Sequence, residues 1–401
     1  MLRRVFKAFH YRDFRLLWLG ACTSSIGTWM QKLAQSWLVL DISGSPFLLG
    51  LDAFLGEIPI LLFSLVGGVV ADRRDRRYLL IASQLLQLTC AFVLTALVGF
   101  GVVQVWHILT LSFFVGLAQA FGGPAYQALI PSMVDSEDLP NAIALNSIQF
   151  NLARVIGPVL GGLALTNLGA AWCFGLNGIS YIPVIFTLLA IRSRFQPANT
   201  GESMLTSMRQ GISFIRRHGA MEALILLAFL MTLLSIPLIV FLPVFARDVF
   251  RQGVGTLTLL LTVSGSGSVA GALLLAAFAQ APRKGRNSLL ILIAVGVLMA
   301  GFSQSRSIWL SCVLLFLSSA ALMMVFALIM SLVQLITGNE MRGRVMSVYN
   351  VAFRGGMPIG SLATGALSPM FTTPAVLTVN GLLLAAVGCY FLFVHRKVAS
   401  L

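Results

Sequence analysis

Runs of about twenty apolar residues recur from one end of the chain to the other, each long enough to cross a bilayer as a helix. This pattern restricts the fold more than any motif does. In hydrocarbon every backbone amide needs an internal partner, and runs of this length supply one as helices. Composition agrees: of 401 residues, 58% are hydrophobic and 10% charged. A soluble domain carries about 25% charged residues, so this chain has too few to cover a water-facing surface of its size. The expected fold is an all-α membrane protein.

Spans are expected at 14–41, 47–71, 78–102, 105–129, 141–168, 170–192, 221–246, 253–280, 288–304, 307–333, 345–370 and 372–395. Twelve is even, so both ends lie on one side. Of 27 Lys and Arg, 21 fall on that side, and only Arg247, Arg251 and Arg306 fall in loops on the other. Such an excess marks the cytoplasmic face, so both termini are expected in the cytoplasm, with the chain in a cell membrane, plasma or inner. The net charge of +14 follows from this topology. The basic loops suit anionic lipid headgroups rather than nucleic acid. The basic start lacks a small-residue cleavage site, so the first helix is expected to stay.

The longest loop on the basic side, 192–220, divides the spans six and six. The expected domains are residues 1–192, a cytoplasmic linker 193–220, and residues 221–401. The linker opens with the polar "RSRFQPANTGES" and continues with the amphipathic "SMLTSMRQGISFIRRH". There Leu205, Met208, Ile212 and Ile215 share one face, as in a helix at the membrane interface. The halves echo each other. "ARVIGPVLG" in span five and "FRGGMPIGS" in span eleven both place Arg and Pro four apart, and Arg154 and Arg354 stand 200 positions apart. This favours two pseudo-symmetric six-helix bundles built as parallel repeats.

Between spans two and three lies "ADRRDRR" (71–77), with six charges in seven residues. Lys and Arg alone would anchor a turn on the basic side, but two Asp residues are interleaved with them. "GGVVADRRDRR" resembles the signature loop of the major facilitator superfamily. Gly68, Asp72, Arg73, Arg76 and Arg77 match it, and Asp75 stands where a Gly is usual. "ARVIGPVLGG" resembles that superfamily's antiporter motif of helix five. Gly157, Pro158, Gly161 and Gly162 match, with Ala153 in place of the first Gly. "GGPAYQALIPSMVDSEDLPNAIALNSI" and "EMRGRVMSVYNV" are similar to the subgroup of enterobactin exporters and macrolide efflux proteins. The resemblance spans the chain. It implies alternating access between two bundles and a conformational latch at the signature loop, whose Asp contacts the start of helix eleven. A carboxylate is favoured at a helix N-terminus, and Arg76 or Arg77 is expected to pair with acids of neighbouring segments. Span four contains no Lys or Arg, where antiporters of the family carry a basic residue.

Ionisable residues inside spans are costly, about 2.5–3.5 kcal/mol near the bilayer centre, and are functional candidates by default. Five stand out: Lys32, Asp52, Glu57, Arg154 and Arg354. Lys32 near the outer end of span one, and Asp52 and Glu57 near the start of span two, share one layer. They form either a structural ion pair or a proton-coupling group, Glu57 lying deeper. Asp52 and Glu57, five apart, diverge by about 140° on a helix and do not form a dyad. Arg154 and Arg354 are candidates for holding an anionic group, or for helix packing beside their prolines. Gln31, Gln119, Asn146, Gln149 and Asn350, with Gln35 and Asn151, are candidates for a substrate cavity or for bonds between helices.

The five Cys and four His show no metal or nucleophile spacing, and no phosphate loop is present, so neither a metal, a cofactor nor an enzyme is expected. The expected function is export of an amphipathic small molecule, siderophore or drug-like, by a monomeric secondary transporter in the lipid bilayer, with protons as the candidate coupling ion. An uptake carrier or lipid flippase of the same fold, and a non-transporting membrane sensor, are the alternatives.

Overall fold

The computed structural model describes residues 6–191, 204–277, 283–338 and 340–401. The polar start of the linker, and the side chains of Asp72, Leu205 and Met208, lie outside the described residues. Among those described there is no strand. The helices are α1 (Arg12–Ser43), α2 (Pro46–Arg73), α3 (Arg76–Gly99), α4 (Val105–Leu129), α5 (Leu139–Asn167), α6 (Ala170–Ala190) and α7 (Met204–Arg217). They continue as α8 (Gly219–Val240), α9 (Val254–Ala277), α10 (Lys284–Gln304), α11 (Ile308–Ile336), α12 (Arg342–Phe371) and α13 (Thr373–Cys389).

Local sequence explains where helices stop. Gly44, at φ +62, ends α1 in the left-handed conformation that costs a residue without Cβ nothing, and Pro46 opens α2 two residues later. Gly169, at φ +88, separates α5 from α6. Proline stands inside α2, α4, α5, α6, α8 and α12, as is commoner in membrane helices than in soluble ones.

Among the described residues, ten helices are long and apolar enough to cross a membrane. The other two of spanning length, α1 with 32 residues and α12 with 30, are less apolar. They carry five of the polar residues singled out above: Gln31, Lys32 and Gln35 on α1, Asn350 and Arg354 on α12.

Packing divides the chain into two compact units, residues 1–44 with 55–200, and residues 45–54 with 201–401. In the first, α1 packs on α5 and α6, and α3 packs on α4 and α6. In the second, α8 packs on α12, α9 on α11, and α10 on α11 and α13. The internal plans correspond. Gly157 and Gly161 of α5 lie against Trp29 and Met30 of α1; Gly356 and Gly360 of α12 lie against Thr232 and Leu233 of α8. Small residues four apart let two helix backbones approach where apolar burial gives no driving force against lipid.

The linker helix α7 docks on α12. Gly211 faces the Arg344 carbonyl, Ile215 is buried, and Phe214 packs on the same apolar cluster. Ile212, expected on one apolar face with Ile215, is exposed, as a residue at a membrane interface would be. The docking face turns toward Gly211 because only a residue without Cβ fits beside that carbonyl.

At the end of the first unit that carries the N-terminus, a short segment is clasped to the α4–α5 loop. The Ala8 amide donates to Asn141 Oδ1 at 2.9 Å, Lys7 Nζ lies 2.7 Å from Asp138 Oδ1, and the Tyr11 hydroxyl donates to Asp135 and Asp138, each at 2.9 Å. The hydrogen bond and charge of Asp138 raise the Lys7 pKa, and Lys7 lowers that of Asp138. The bond to Asp135, with burial and Asp138, pushes the Tyr11 hydroxyl up to about 12.

Candidate functional site

The turn 71–77 is built by capping. Asp75 is the N-cap of α3, its carboxylate accepting from the Arg77 amide at 2.9 Å. That accounts for one of the two interleaved acids. Arg76 Nε donates to the Ala71 carbonyl at 3.2 Å and its Nη1 to the Ala128 carbonyl at 2.9 Å. Arg77 reaches the other way, Nη1 to Ile191 O at 3.0 Å and Nη2 to Leu189 O at 2.8 Å. The two guanidinium groups thus bond carbonyls in the last turns of α2 and α4 and at the end of α6. Those carbonyls lack intrahelical partners and form the negative ends of the helix dipoles. The planar fork of arginine serves two carbonyls at once.

Three helix ends are therefore tied by two residues, through carbonyls. Arg73 is exposed. Gly68 has open space where a side chain would stand, whereas its neighbour Gly67 lies against the Ala120 carbonyl of α4.

Inside the first unit, four helices meet through neutral polar side chains. Gln31 Nε2 donates to Gln35 Oε1 at 3.3 Å, and Gln35 Nε2 to Ser112 Oγ at 2.8 Å. Asn177 Nδ2 donates to Gln31 Oε1 at 2.6 Å and lies 3.3 Å from the Tyr181 hydroxyl. Tyr181 and Gln119 both donate to Gln87 Oε1, at 3.4 and 3.2 Å. Gln87 in turn donates to Ser83, whose hydroxyl donates to the Ala118 carbonyl at 2.7 Å. Thr28 adds a 3.3 Å contact to Tyr181. Gln87, Asn177 and Tyr181 are buried, and Gln31, Gln35 and Gln119 are half-buried. The chain of bonds thus runs from the bundle interior to its more accessible side. The members named are amides and hydroxyls, which can orient a polar ligand group.

The other candidates separate. Asn146 accepts from the Tyr126 hydroxyl at 2.7 Å. Gln149 is buried and donates to Ala21 O at 3.1 Å and to Ser25 Oγ at 2.6 Å. Both join helices. Asn151 bonds the Ser147 carbonyl of its own helix. Lys32 and Arg154 converge on the Trp29 ring, with Nζ at 5.0 Å and Cζ at 5.5 Å from its centre. Glu57 is half-buried on α2, Asp52 is buried in the part of α2 belonging to the second unit, and Arg354 and Asn350 lie on the exposed side of α12. Gly157, Pro158, Gly161 and Gly162 are buried, the first and third against α1.

Sequence reasoning named Gln31 and Gln119 but missed Gln87, Asn177, Tyr181, Ser112 and Trp29. A signal was present: Ser83/Gln87 and Asn177/Tyr181 repeat at i, i+4 within apolar runs, as Gln31/Gln35 do. That spacing puts both polar groups on one helix face.

The chain matches the family described as transmembrane secretion effector over residues 5–400. It is 26% identical over 390 residues to the enterobactin exporter EntS of Shigella boydii serotype 4, covering 95% of this chain and 91% of that protein. It is 24% identical over 305 residues to macrolide efflux protein A of Streptococcus pyogenes, covering 73% of this chain and 72% of that protein. Its fold resembles that of a bacterial homolog to the human lysosomal transporter Spinster, with a TM-score of 0.75 at 15% identity over 96% of this chain and 97% of that one. The chain therefore belongs to the transmembrane secretion effector family of the major facilitator superfamily, whose members are multi-pass membrane transporters and not enzymes.

Proposed function

We propose that this transporter exports an amphipathic small molecule by alternating access. The observation that carries the reading is the amide and hydroxyl network of α1, α3, α4 and α6. A neutral hydrogen-bonding strip among apolar helices suits a ligand with a greasy body and a few polar groups, as pockets for such ligands combine apolar walls with few polar contacts. The relatives named as an enterobactin exporter and a macrolide efflux protein support outward transport of molecules of this kind.

The expected orientation places the tied helix ends at the cytoplasmic face. There the turn around Asp72, Arg73, Arg76 and Arg77 acts as the latch of the cytoplasm-closed state, with Gly68 leading into it. Glu57, deeper than Asp52, is the proposed proton-coupling group. Glu57→Gln should abolish proton-driven movement while sparing binding.

The test of the reading is direct binding and counterflow in proteoliposomes, across a panel of macrolides and catecholate siderophores. Gln31→Leu and Gln119→Leu should each raise the Kd of the compound that moves by about tenfold, the value of one ligand hydrogen bond. Unchanged Kd in both variants would show that the network only joins helices.

A further inference from the structure

Two cations share one indole ring in the first unit. Arg154 lies midway along α5, and Lys32 stands three residues after Trp29 on α1. Their distances to the ring centre put the two charges within ~10.5 Å of each other, close enough to repel. Each is attracted by the ring, but an indole carries no net charge and does not neutralise them. Within this unit, among the described residues, neither cation has a carboxylate at ion-pair distance.

The arrangement is held from below. Gly157 leaves the space that the Trp29 side chain occupies, and the Phe150 ring meets Trp29 edge-on at 6.2 Å and 71°. Phe150 is exposed and Lys32 is exposed, so the cluster is open on one side. Because side chains on a helix lean toward its N-terminus, the Lys32 ammonium comes back onto Trp29. Arg154 belongs to a different helix and approaches the same ring.

From this geometry we infer that Lys32, Arg154, Trp29 and Phe150 form a docking site for an acidic group carried on an apolar, ring-bearing or acyl body. This rests on the transporter reading above and adds to it the charge of the ligand. Lys32 and Arg154 take the acid, Arg154 with its planar fork, and the two rings take the adjoining apolar part. The same chemistry is offered by a soluble amphipathic acid and by the phosphate of an anionic lipid.

The test uses the full-length protein in phosphatidylcholine nanodiscs and a matched pair of probes, naphthalene-2-sulfonate and 2-naphthylmethylammonium. Equilibrium dialysis against empty nanodiscs gives the affinity of each. The sulfonate should bind about tenfold more tightly, and Lys32→Gln and Arg154→Gln should each remove that preference without weakening the ammonium probe, as loss of one charged hydrogen bond requires. Lys32→Arg should keep it. Because Lys32 is exposed, its variants remain informative where Arg154→Gln fails to fold. Adding phosphatidylglycerol distinguishes the sources: competition with the sulfonate in the wild type, absent in Lys32→Gln, assigns the site to lipid phosphate, and no competition assigns it to a soluble acid. Equal affinities for the two probes, or equal losses of both in the variants, would overturn the proposal. Counterflow of an uncharged compound by the wild type tests the transporter reading separately.

Discussion

Gly157 and Gly68 both match superfamily motifs, yet they occupy opposite surroundings. A side chain at 157 would meet the Trp29 Cβ and the Ile26 carbonyl; one at 68 would meet open space. Gly157→Val should therefore lower the melting temperature, by overpacking worth about 1–3 kcal/mol. Gly68→Ala should leave it unchanged or raise it, since alanine in a helix gains up to about 1 kcal/mol over glycine. Thermal unfolding of both variants checks this, and an equal fall in the two would refute the packing account. Should Gly68→Ala be stable but slow in transport, its role lies in the latch cycle. Nothing in the sequence separates the two glycines, because a motif records that a side chain is absent and not what fills the space. The residues legible in advance were those whose polarity jars with their span: Gln31, Gln119, Lys32 and Arg154. Trp29 was not among them, since an aromatic ring in an apolar run is ordinary, and only the neighbouring helix shows that two cations sit on it.

At the level of elements, capping and clasping tie helix ends together. The turn 71–77 joins the ends of α2, α4 and α6 through Arg76 and Arg77. The sequence showed a charged turn but not its partners, because carbonyl acceptors are common to every helix end and carry no mark in the sequence. The N-terminal clasp is a second such device, and its pH dependence follows from its groups. Asp138 has a lowered pKa, so its contribution is present above the ordinary carboxylate range and is lost as pH falls through the lowered value. Lys7 and Tyr11 have raised values, so their contributions are present below about 10 and are lost as pH rises through the raised ones. The clasp should hold across neutral pH and open at both extremes. Hydrogen exchange of residues 6–11 reports it: Asp138→Asn should speed exchange at pH 7 to the rate seen in acid. Exchange that is pH-independent in the wild type, once intrinsic rates are removed, would show that these charges do not close the clasp.

For the whole molecule, helix number and order were legible because apolar run length is set by bilayer thickness. The exceptions teach more. Helices α1 and α12 are less apolar than the other spans, and α1 supplies both members of the amide network and the indole with its two cations. The polar content that makes α1 a less apolar span is bonded by its neighbours α4 and α6. The account's central claim is outward transport of an amphipathic molecule through such an interior. Everted membrane vesicles from cells making the protein test it most directly, energised with an inward-acid proton gradient and given the radiolabelled compound that the purified protein binds. The account predicts saturable accumulation inside the vesicles, collapsed by an ionophore and accelerated when unlabelled compound is preloaded. A folded, binding-competent protein that gives no accumulation, or a flux that neither saturates nor responds to preloading, would contradict it.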